Sequence, residues 1–379
     1  MIEWTDEQKE LRNSIAEWAP ALNENYTADS EEELFLKKWE TVKQMGILGL
    51  SMDESYGGLS QNVLTTMYVM EEFGKTSQDA GFSFGVSSHI VSTCVPMQKF
   101  GTDEQKQQYL PGLIAGDIIG AHAITETESG SDAWDMSTWA EKIDGGYRIN
   151  GSKTFTSNGP VADTIIVYAR TDKNASILNG FTAFIVDTKS KGFSRSRPMK
   201  KMGLETSVLC DLYFDDLEVS DSNILGKVGK GFPIFNYVMK WEILLSFIIN
   251  VGEMQLLLEK CVDYSKNRKQ YGQPICKYQA VSHKIAEMKI NLETARTMMY
   301  RAGYGMSRNR NITTDLAIAK VVASENFVKN SLDALQVFGG AGYMKESGIE
   351  RYVRNSVASK IYSGTSEIQR NTIASMLGL

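Results

Sequence analysis

Gly120-Ala121-His122-Ala123-Ile124-Thr125-Glu126-Thr127-Glu128-Ser129-Gly130-Ser131-Asp132 is where the chain changes character. Before it, apolar residues recur at helical spacing and no strand pattern interrupts them. From it onward, short runs rich in β-formers alternate with turn residues. A switch of this kind inside one chain divides it into layers that must each find a core.

Working toward the N-terminus, Thr5 with Gln8 makes a capping box, which predicts a helix running to about Pro20. Further helices are expected over residues 31–45, 61–74, 87–101 and 103–115, with 46–58 as a loop that tucks Ile47, Leu48 and Leu50 inward. Working toward the C-terminus, strands are expected over 121–125, 147–150, 164–169, 182–186 and 209–214. Turn signals at Asp144-Gly145-Gly146 and Asn158-Gly159-Pro160 point to an antiparallel sheet or small barrel that ends near Gly226. Helical periodicity then returns. Val281, Ile285, Met288, Leu292, Ala295 and Met299 fall on one stripe, and another long helix is expected over 313–337. The fold class is therefore mainly α with a central β domain: an N-terminal helical domain (1–117), a β domain (118–228) and a C-terminal helical bundle (229–379).

The chain has 379 residues, 42% of them hydrophobic and 23% charged, which suits a soluble globular protein with a sizeable core. A net charge of −6 argues against nonspecific nucleic-acid binding, which depends on an excess of Lys and Arg. Cys94, Cys210, Cys261 and Cys276 are scattered without metal-ligand spacing, so reduced thiols and no metal site are expected. The opening MIEWTDEQKE lacks the blocks of a signal peptide, and a cytoplasmic location is expected.

One acid stands out in the C-terminal region. Glu242 heads the apolar run VMKWEILLSFIINVG, residues 238–252, which is too short for a membrane span of roughly 20 residues and reads as a core helix. A carboxylate beside Ile243, Leu244 and Leu245 sheds water, and a desolvated carboxylate is a better proton acceptor, as a general base requires. The same residue on a solvated face would have no such meaning.

Separated motifs now fall in one order. AHAITETESGSD (121–132) is followed by GSKTFTSNG (151–159), RKQYG (268–272), QAV (279–281), QVFGGAG (336–342) and YSGTSEIQR (362–370). Together they resemble the acyl-CoA dehydrogenase flavoproteins over essentially the whole chain. That resemblance implies the helical, β-barrel and four-helix-bundle layout of the family and an FAD cofactor. It implies a flavin loop of Ile124, Thr125, Gly130 and Ser131, with Phe155 giving the ring an aromatic face where relatives often have Trp, and Ser157 a hydroxyl. Arg268, Tyr271, Gln336, Gly339 and Gly340 match positions along the ADP part, where Arg268 reaches FAD across a subunit boundary. Thr365 and Glu367 match positions near the cofactor. Sharing FAD implies a homo-oligomer, in the family a tetramer.

Two positions depart from the family. Ser363 stands where many relatives carry the catalytic glutamate, leaving its backbone N–H to hold the thioester carbonyl. A subgroup that includes isovaleryl-CoA dehydrogenase-like members places its base on the preceding helix, and counting back from Gly252 puts Glu242 there. Ile243 replaces an arginine found in most relatives, which implies altered handling of a CoA-like arm. These segments look most like the branch that oxidises prolyl groups on carrier proteins for natural-product biosynthesis. The implied reaction is FAD-dependent α,β-dehydrogenation of a carrier-bound prolyl thioester to a pyrroline or dehydroprolyl thioester, with electrons passing to oxygen or an electron-transfer flavoprotein. A short or branched-chain acyl-CoA dehydrogenase and a noncatalytic flavin-fold protein are the alternatives. Lys189, Lys191, Arg195, Arg197, Lys200 and Lys201 form a basic cluster suited to docking an acidic carrier; a solvated loop has the same composition.

Overall fold

Local sequence sets the helix ends in the structure, a computed structural model that describes residues 2–379. Thr5 caps α1 (Asp6–Glu17) through the expected box with Gln8, and a single turn, α2 (Ala19–Leu22), restarts with Pro20 near its head. α3 (Glu31–Met45) begins on the Ser30 hydroxyl and stops at Gly46, whose φ of 71° only glycine adopts freely. Asn62 caps α4 (Val63–Ser77). α5 (Ala80–His89) continues through a π turn at Ile90–Cys94 into α6 (Val95–Phe100), so the helix expected over 87–101 is the later part of a longer rod. A second capping box, Thr102 with Gln105, opens α7 (Asp103–Ala115).

The strands are β1 (Gly120–Ala123), β2 (Trp139–Ile143), β3 (Gly146–Ser157), β4 (Thr164–Arg170), β5 (Phe181–Asp187), β6 (Phe193–Arg195), β7 (Leu209–Ser220) and β8 (Ile224–Leu225). They form one sheet in the order β6-β7-β3-β2-β4-β5-β8, with β1 on β4. Of the antiparallel sheet or small barrel expected, the structure has an open sheet, and one of its pairings is parallel. The hydrogen-bonded path ends at β6 and β8 without closing, and β1 runs parallel to β4, pairing His122 with Ile166. A parallel neighbour needs a long crossover, which residues 124–163 provide.

Alternation along β1 and β4 gives the sheet two buried faces. Ala121, Ala123, Ile165, Val167 and Ala169 point into the β domain's own core. Ile124, Ile166 and Tyr168 point the other way, into the core shared with the helices. Covering on both sides explains why β4 reads as an unbroken apolar run.

The C-terminal part contains α8 (Gly231–Asn267), a two-stranded hairpin of β9 (Lys269–Gln270) and β10 (Gln273–Pro274), α9 (Gln279–Ser307), α10 (Thr313–Phe338), α11 (Gly340–Tyr343), α12 (Glu350–Ala358) and α13 (Ser366–Met376). The run expected to be too short for a membrane belongs to a helix of 37 residues, long enough to cross one. Its most apolar window is 83% buried inside the protein, so α8 is the central core helix. It meets α4 backbone to backbone: a Cβ on Gly252 would lie 2.0 Å from the Glu71 carbonyl oxygen. On α9, Met288, Leu292, Ala295 and Met299 are buried, while Val281 and Ile285 pack at the stripe's edge.

Candidate active site

Three elements bring their polar residues to one place: α8 supplies Glu242, β1 supplies His122, and the turn between α12 and α13 supplies Ser363. Ser363 Oγ donates to Glu242 Oε1 at 2.5 Å. His122 Nε2 lies 3.6 Å from Glu242 Oε2. The carboxylate is only 12% exposed, yet its near neighbours are polar and not the aliphatic flank that the sequence around it suggests. Helix geometry explains the difference, because Ile243, Leu244 and Leu245 turn into the core while Glu242 faces the sheet and the Ser363 turn.

The turn carrying Ser363 is held from several sides. Ser363 has φ 57° and Gly364 φ 76°, a left-handed pair that a non-glycine residue enters at some cost. Gln369 Nε2 donates to the Ser363 carbonyl at 3.1 Å. Lys320 Nζ and the Ser366 N–H both donate to the Lys360 carbonyl. Asn250 Nδ2 donates to the Tyr362 hydroxyl at 2.9 Å, and the Tyr362 ring packs on Phe84 and Phe247. The Ser363 N–H itself finds no acceptor among the described residues, so it is free to hold a carbonyl oxygen.

The flavin-loop residues are organised by a buried ion pair that sequence reasoning did not single out, although both partners lie within the quoted motifs. Lys153 Nζ donates to Glu126 Oε1 at 2.8 Å and to the Ile124 carbonyl at 2.9 Å. Glu126 also accepts from Ser137 N–H, Ser137 Oγ and Thr138 N–H. Burial pushes the Glu126 carboxyl up, but Lys153 and these donors pull it further down, to about 2. Burial draws Lys153 down to about 8, so the pair is ionised at neutral pH. It ties the start of the 124–138 loop to its end and leaves Gly130 and Ser131 exposed at the tip.

Phe155 follows Lys153 on β3 at a break in register with β7. With φ 53° the bulge turns its ring outward, and Phe155 is 63% exposed. Thr154 N–H donates to the Thr125 carbonyl, which lays the start of the loop against this strand, and a large aromatic face held out of the core near Ser157 suits packing against an isoalloxazine ring. Ile124, buried, closes the loop's inner side.

The residues matched to the ADP arm lie together at another place. Tyr264 stacks on Phe338 at 4.0 Å, which joins the end of α8 to the end of α10. Arg268, Gln336, Gly339 and Gly340 are exposed there, and Tyr271 on the hairpin is 96% exposed. Side-chain atoms added at Gly339 or Gly340 would meet nothing within 4 Å, so an elongated group can lie against that backbone. Among the described residues, no hydrogen bond or ion pair links this group to Phe155 or the 124–131 loop. Thr365 caps α13 by accepting from Ile368 N–H, and Glu367 is exposed in its first turn. Taken together, an outward aromatic face, a free N–H beside a carboxylate and an open glycine cradle fit FAD.

Ile243 is 6% exposed and belongs to the main apolar core. The basic cluster divides. Arg195 Nη1 donates to the carbonyls of Gly159, Pro160 and Ala162. Lys201 is half-buried and donates to the Glu205 carbonyl. Lys189, Lys191, Arg197 and Lys200 are exposed.

His122 lies inside the AHAITETESGSD motif and Tyr168 inside an apolar strand run, and neither residue type marks a site by itself. Strand alternation carries the signal for both, since even-numbered positions of β1 and β4 face α8.

Comparison with known proteins agrees with this fold. Residues 5–117, 121–217 and 229–378 match the N-terminal, middle and C-terminal domain models of acyl-CoA dehydrogenase, respectively. The chain is 38% identical over 344 residues to an L-prolyl-[peptidyl-carrier protein] dehydrogenase of Pseudomonas fluorescens, covering 90% of each. It is also 38% identical over 334 residues to the short-chain specific acyl-CoA dehydrogenase of Megasphaera elsdenii, covering 87% of this chain and 86% of that one. Its fold superposes on the structure of PigA with FAD and proline at a TM-score of 0.94, with 32% identity, 100% of this chain and 99% of that one. The chain belongs to the acyl-CoA dehydrogenase family.

Proposed function

We propose that the protein is an FAD-dependent oxidoreductase that dehydrogenates a prolyl group held as a thioester on a carrier protein. The observation that carries the chemistry is the pairing of Glu242 with Ser363: a carboxylate is aimed by a hydroxyl next to a free backbone N–H. The Ser363 N–H accepts the role of holding the thioester carbonyl oxygen, which acidifies the α carbon. Glu242 then takes the α proton. FAD, when bound, supplies the acceptor for the hydride equivalent that leaves the β carbon. The substrate loses two hydrogens and becomes a dehydroprolyl thioester that tautomerises to a pyrroline.

The prolyl substrate is supported by the carrier-protein dehydrogenase of P. fluorescens and by the proline-bound PigA structure. Equal identity to a short-chain acyl-CoA dehydrogenase favours a second reading, oxidation of a small CoA ester. Ser363 does not favour a noncatalytic role, because Glu242 reaches the same place from α8. The exposed cradle at Arg268, Tyr271, Gly339 and Gly340 suits a cofactor shared between copies of the chain, which makes the working form a homo-oligomer, a tetramer by family resemblance.

The test offers the purified, FAD-loaded protein a prolyl-carrier thioester beside butyryl-, isovaleryl- and isobutyryl-CoA, with mass detection of the loss of two hydrogens. Prolyl turnover is expected. Turnover of a CoA ester with none of the carrier-bound substrate would install the second reading. Running the assay with and without oxygen, and with an added electron-transfer flavoprotein, identifies the terminal acceptor.

A further inference from the structure

Two buried polar atoms beside Glu242 have no partner among the described residues: His122 Nδ1 and the Tyr168 hydroxyl. Leaving such an atom unpaired in a low-dielectric interior is destabilising, which points to a partner that arrives with a ligand. The two residues are diagonal neighbours on one face of the sheet. β1 and β4 pair His122 with Ile166, and Tyr168 is the next residue of β4 on that same side. Both reach the same ring on α8: Phe235 lies 6.5 Å from the His122 ring and 5.6 Å from the Tyr168 ring, centroid to centroid.

The base sits at the edge of this group. Burial pushes the His122 imidazole down, and Glu242 offsets that only in part, so the ring is neutral at pH 7. Burial pushes the Tyr168 hydroxyl up, and the nearby Glu242 carboxylate pushes it further the same way, so it keeps its proton. A neutral imidazole has one N–H donor and one acceptor nitrogen. The carboxylate at 3.6 Å from Nε2 favours the tautomer with its N–H on Nε2, which makes the orphaned Nδ1 an acceptor.

An aliphatic acyl chain entering here would leave both polar atoms unpaired, as they are in the free protein. A saturated ring carrying an N–H next to the acidic carbon would satisfy them, with its CH₂ groups against Phe235. We propose that His122 and Tyr168 form a subsite for the ring nitrogen of the substrate, with His122 Nδ1 accepting its N–H, and that this subsite selects a cyclic amino acyl group over an aliphatic one. The assignment rests on the prolyl reading above and adds to it the residues that make the choice.

The experiment compares two thioesters on the same carrier protein, prolyl and cyclopentanecarbonyl, which differ by a ring nitrogen against a ring carbon. Wild type is expected to prefer the prolyl substrate in kcat/KM by about 100-fold or more, because a site built to bond an N–H rejects the analogue that lacks it. In His122→Phe and in the nearly isosteric Tyr168→Phe, each checked for FAD content, the preference should shrink by about tenfold, the worth of one buried hydrogen bond. Tyr168→Phe keeps the test open should His122→Phe fold poorly. Prolyl turnover by wild type with an unaltered preference in both variants would overturn the subsite and leave the proposed function standing. Absence of prolyl turnover by wild type would overturn both.

Discussion

Ser363 Oγ donates a 2.5 Å hydrogen bond to Glu242 Oε1, joining two residues 121 positions apart in sequence. In the proposed mechanism this hydroxyl aims the carboxylate that serves as the base. A hydrogen bond to a charged acceptor is worth about 1.5–3 kcal/mol. Ser363→Ala removes that donor without touching the backbone N–H. We expect kcat to fall about tenfold or more, with KM for the carrier-bound substrate nearly constant, because binding contacts survive and only the carboxylate's aim is lost. Steady-state kinetics decide it, and a rise in KM at constant kcat would show that Ser363 serves binding.

Glu242→Gln keeps the shape of the side chain and its contact with Ser363 but removes the proton acceptor. General-base catalysis contributes about 10²–10⁴-fold. The variant should therefore retain FAD while substrate-dependent bleaching of the flavin slows by at least about a hundredfold in stopped flow. Bleaching at the normal rate would remove Glu242 from the mechanism.

Lys153 and Glu126 predict a different failure. Breaking a buried ion pair by removing one partner costs about 3–5 kcal/mol, since the other charge stays behind without compensation. Here the stranded charge would be Glu126, whose carboxylate also anchors Ser137 and Thr138. Lys153→Met should lower the melting temperature and the FAD content of the purified protein. The double variant Lys153→Met with Glu126→Gln should recover part of the stability, because no buried charge remains. If Lys153→Met alone binds FAD normally, the pair does not shape the loop.

What could be read in the sequence follows the range of the interactions concerned. The ends of α3 and α7 were readable to the residue because Ser30, Gly46, Thr102 and Gly116 act within one turn of them. β2, β6 and β8 were not found: β6 and β8 are only three and two residues long, and the WAEKI sequence of β2 carries charges at its centre where an apolar run would mark a strand. The parallel seating of β1 on β4 depends on a crossover of some forty residues that leaves no local mark. Glu242 was legible as an acid out of place. Ser363 was legible beside it through the resemblance, for its backbone N–H; the hydroxyl bond to Glu242 and the approach of His122 were not, since they form only once α8, β1 and the Ser363 turn are assembled. The loop residues from Ile124 to Ser131 were recognisable as a motif, but the Lys153–Glu126 pair that holds them lies across a sheet turn.

His89 makes stability depend on pH. Its Nδ1 accepts from Gly120 N–H and its Nε2 donates to the Leu113 carbonyl, an arrangement that requires the neutral ring. Burial pushes it down from 6.5 to about 4, with the Leu113 bond acting weakly the other way. Between those values the unfolded chain binds a proton that the folded chain refuses. Stability from this group is thus complete above pH 6.5 and falls as pH drops toward 4, by up to about 1.4 kcal/mol per pH unit. Urea titrations at pH 7.5, 6, 5 and 4.5 should show this decline, and His89→Gln should flatten it at the price of lower stability at pH 7.5. An equal slope in the variant would assign the acid sensitivity to other groups.

The divided basic cluster makes the carrier dock testable with its own internal control. Arg195 is committed to three carbonyls, and Lys201 is drawn down by burial while it faces Glu31 and Glu205. Arg195 is thereby fixed in place on the β domain, and the Lys201 charge is offset by two carboxylates. Arg197 and Lys200 are exposed a few residues away. Reversing this second pair, Arg197→Glu with Lys200→Glu, should raise KM for the carrier-bound substrate about tenfold at low salt with kcat unaltered. The effect should shrink as ionic strength rises, because exposed charges are screened beyond about 10 Å at 0.1 M. A prolyl thioester of free pantetheine, which presents no acidic protein surface, should not respond. Lys201→Glu should alter KM for the carrier far less. An unchanged KM in the double reversal would leave the cluster as a solvated loop, and an equal rise with the pantetheine substrate would place its effect inside the active site.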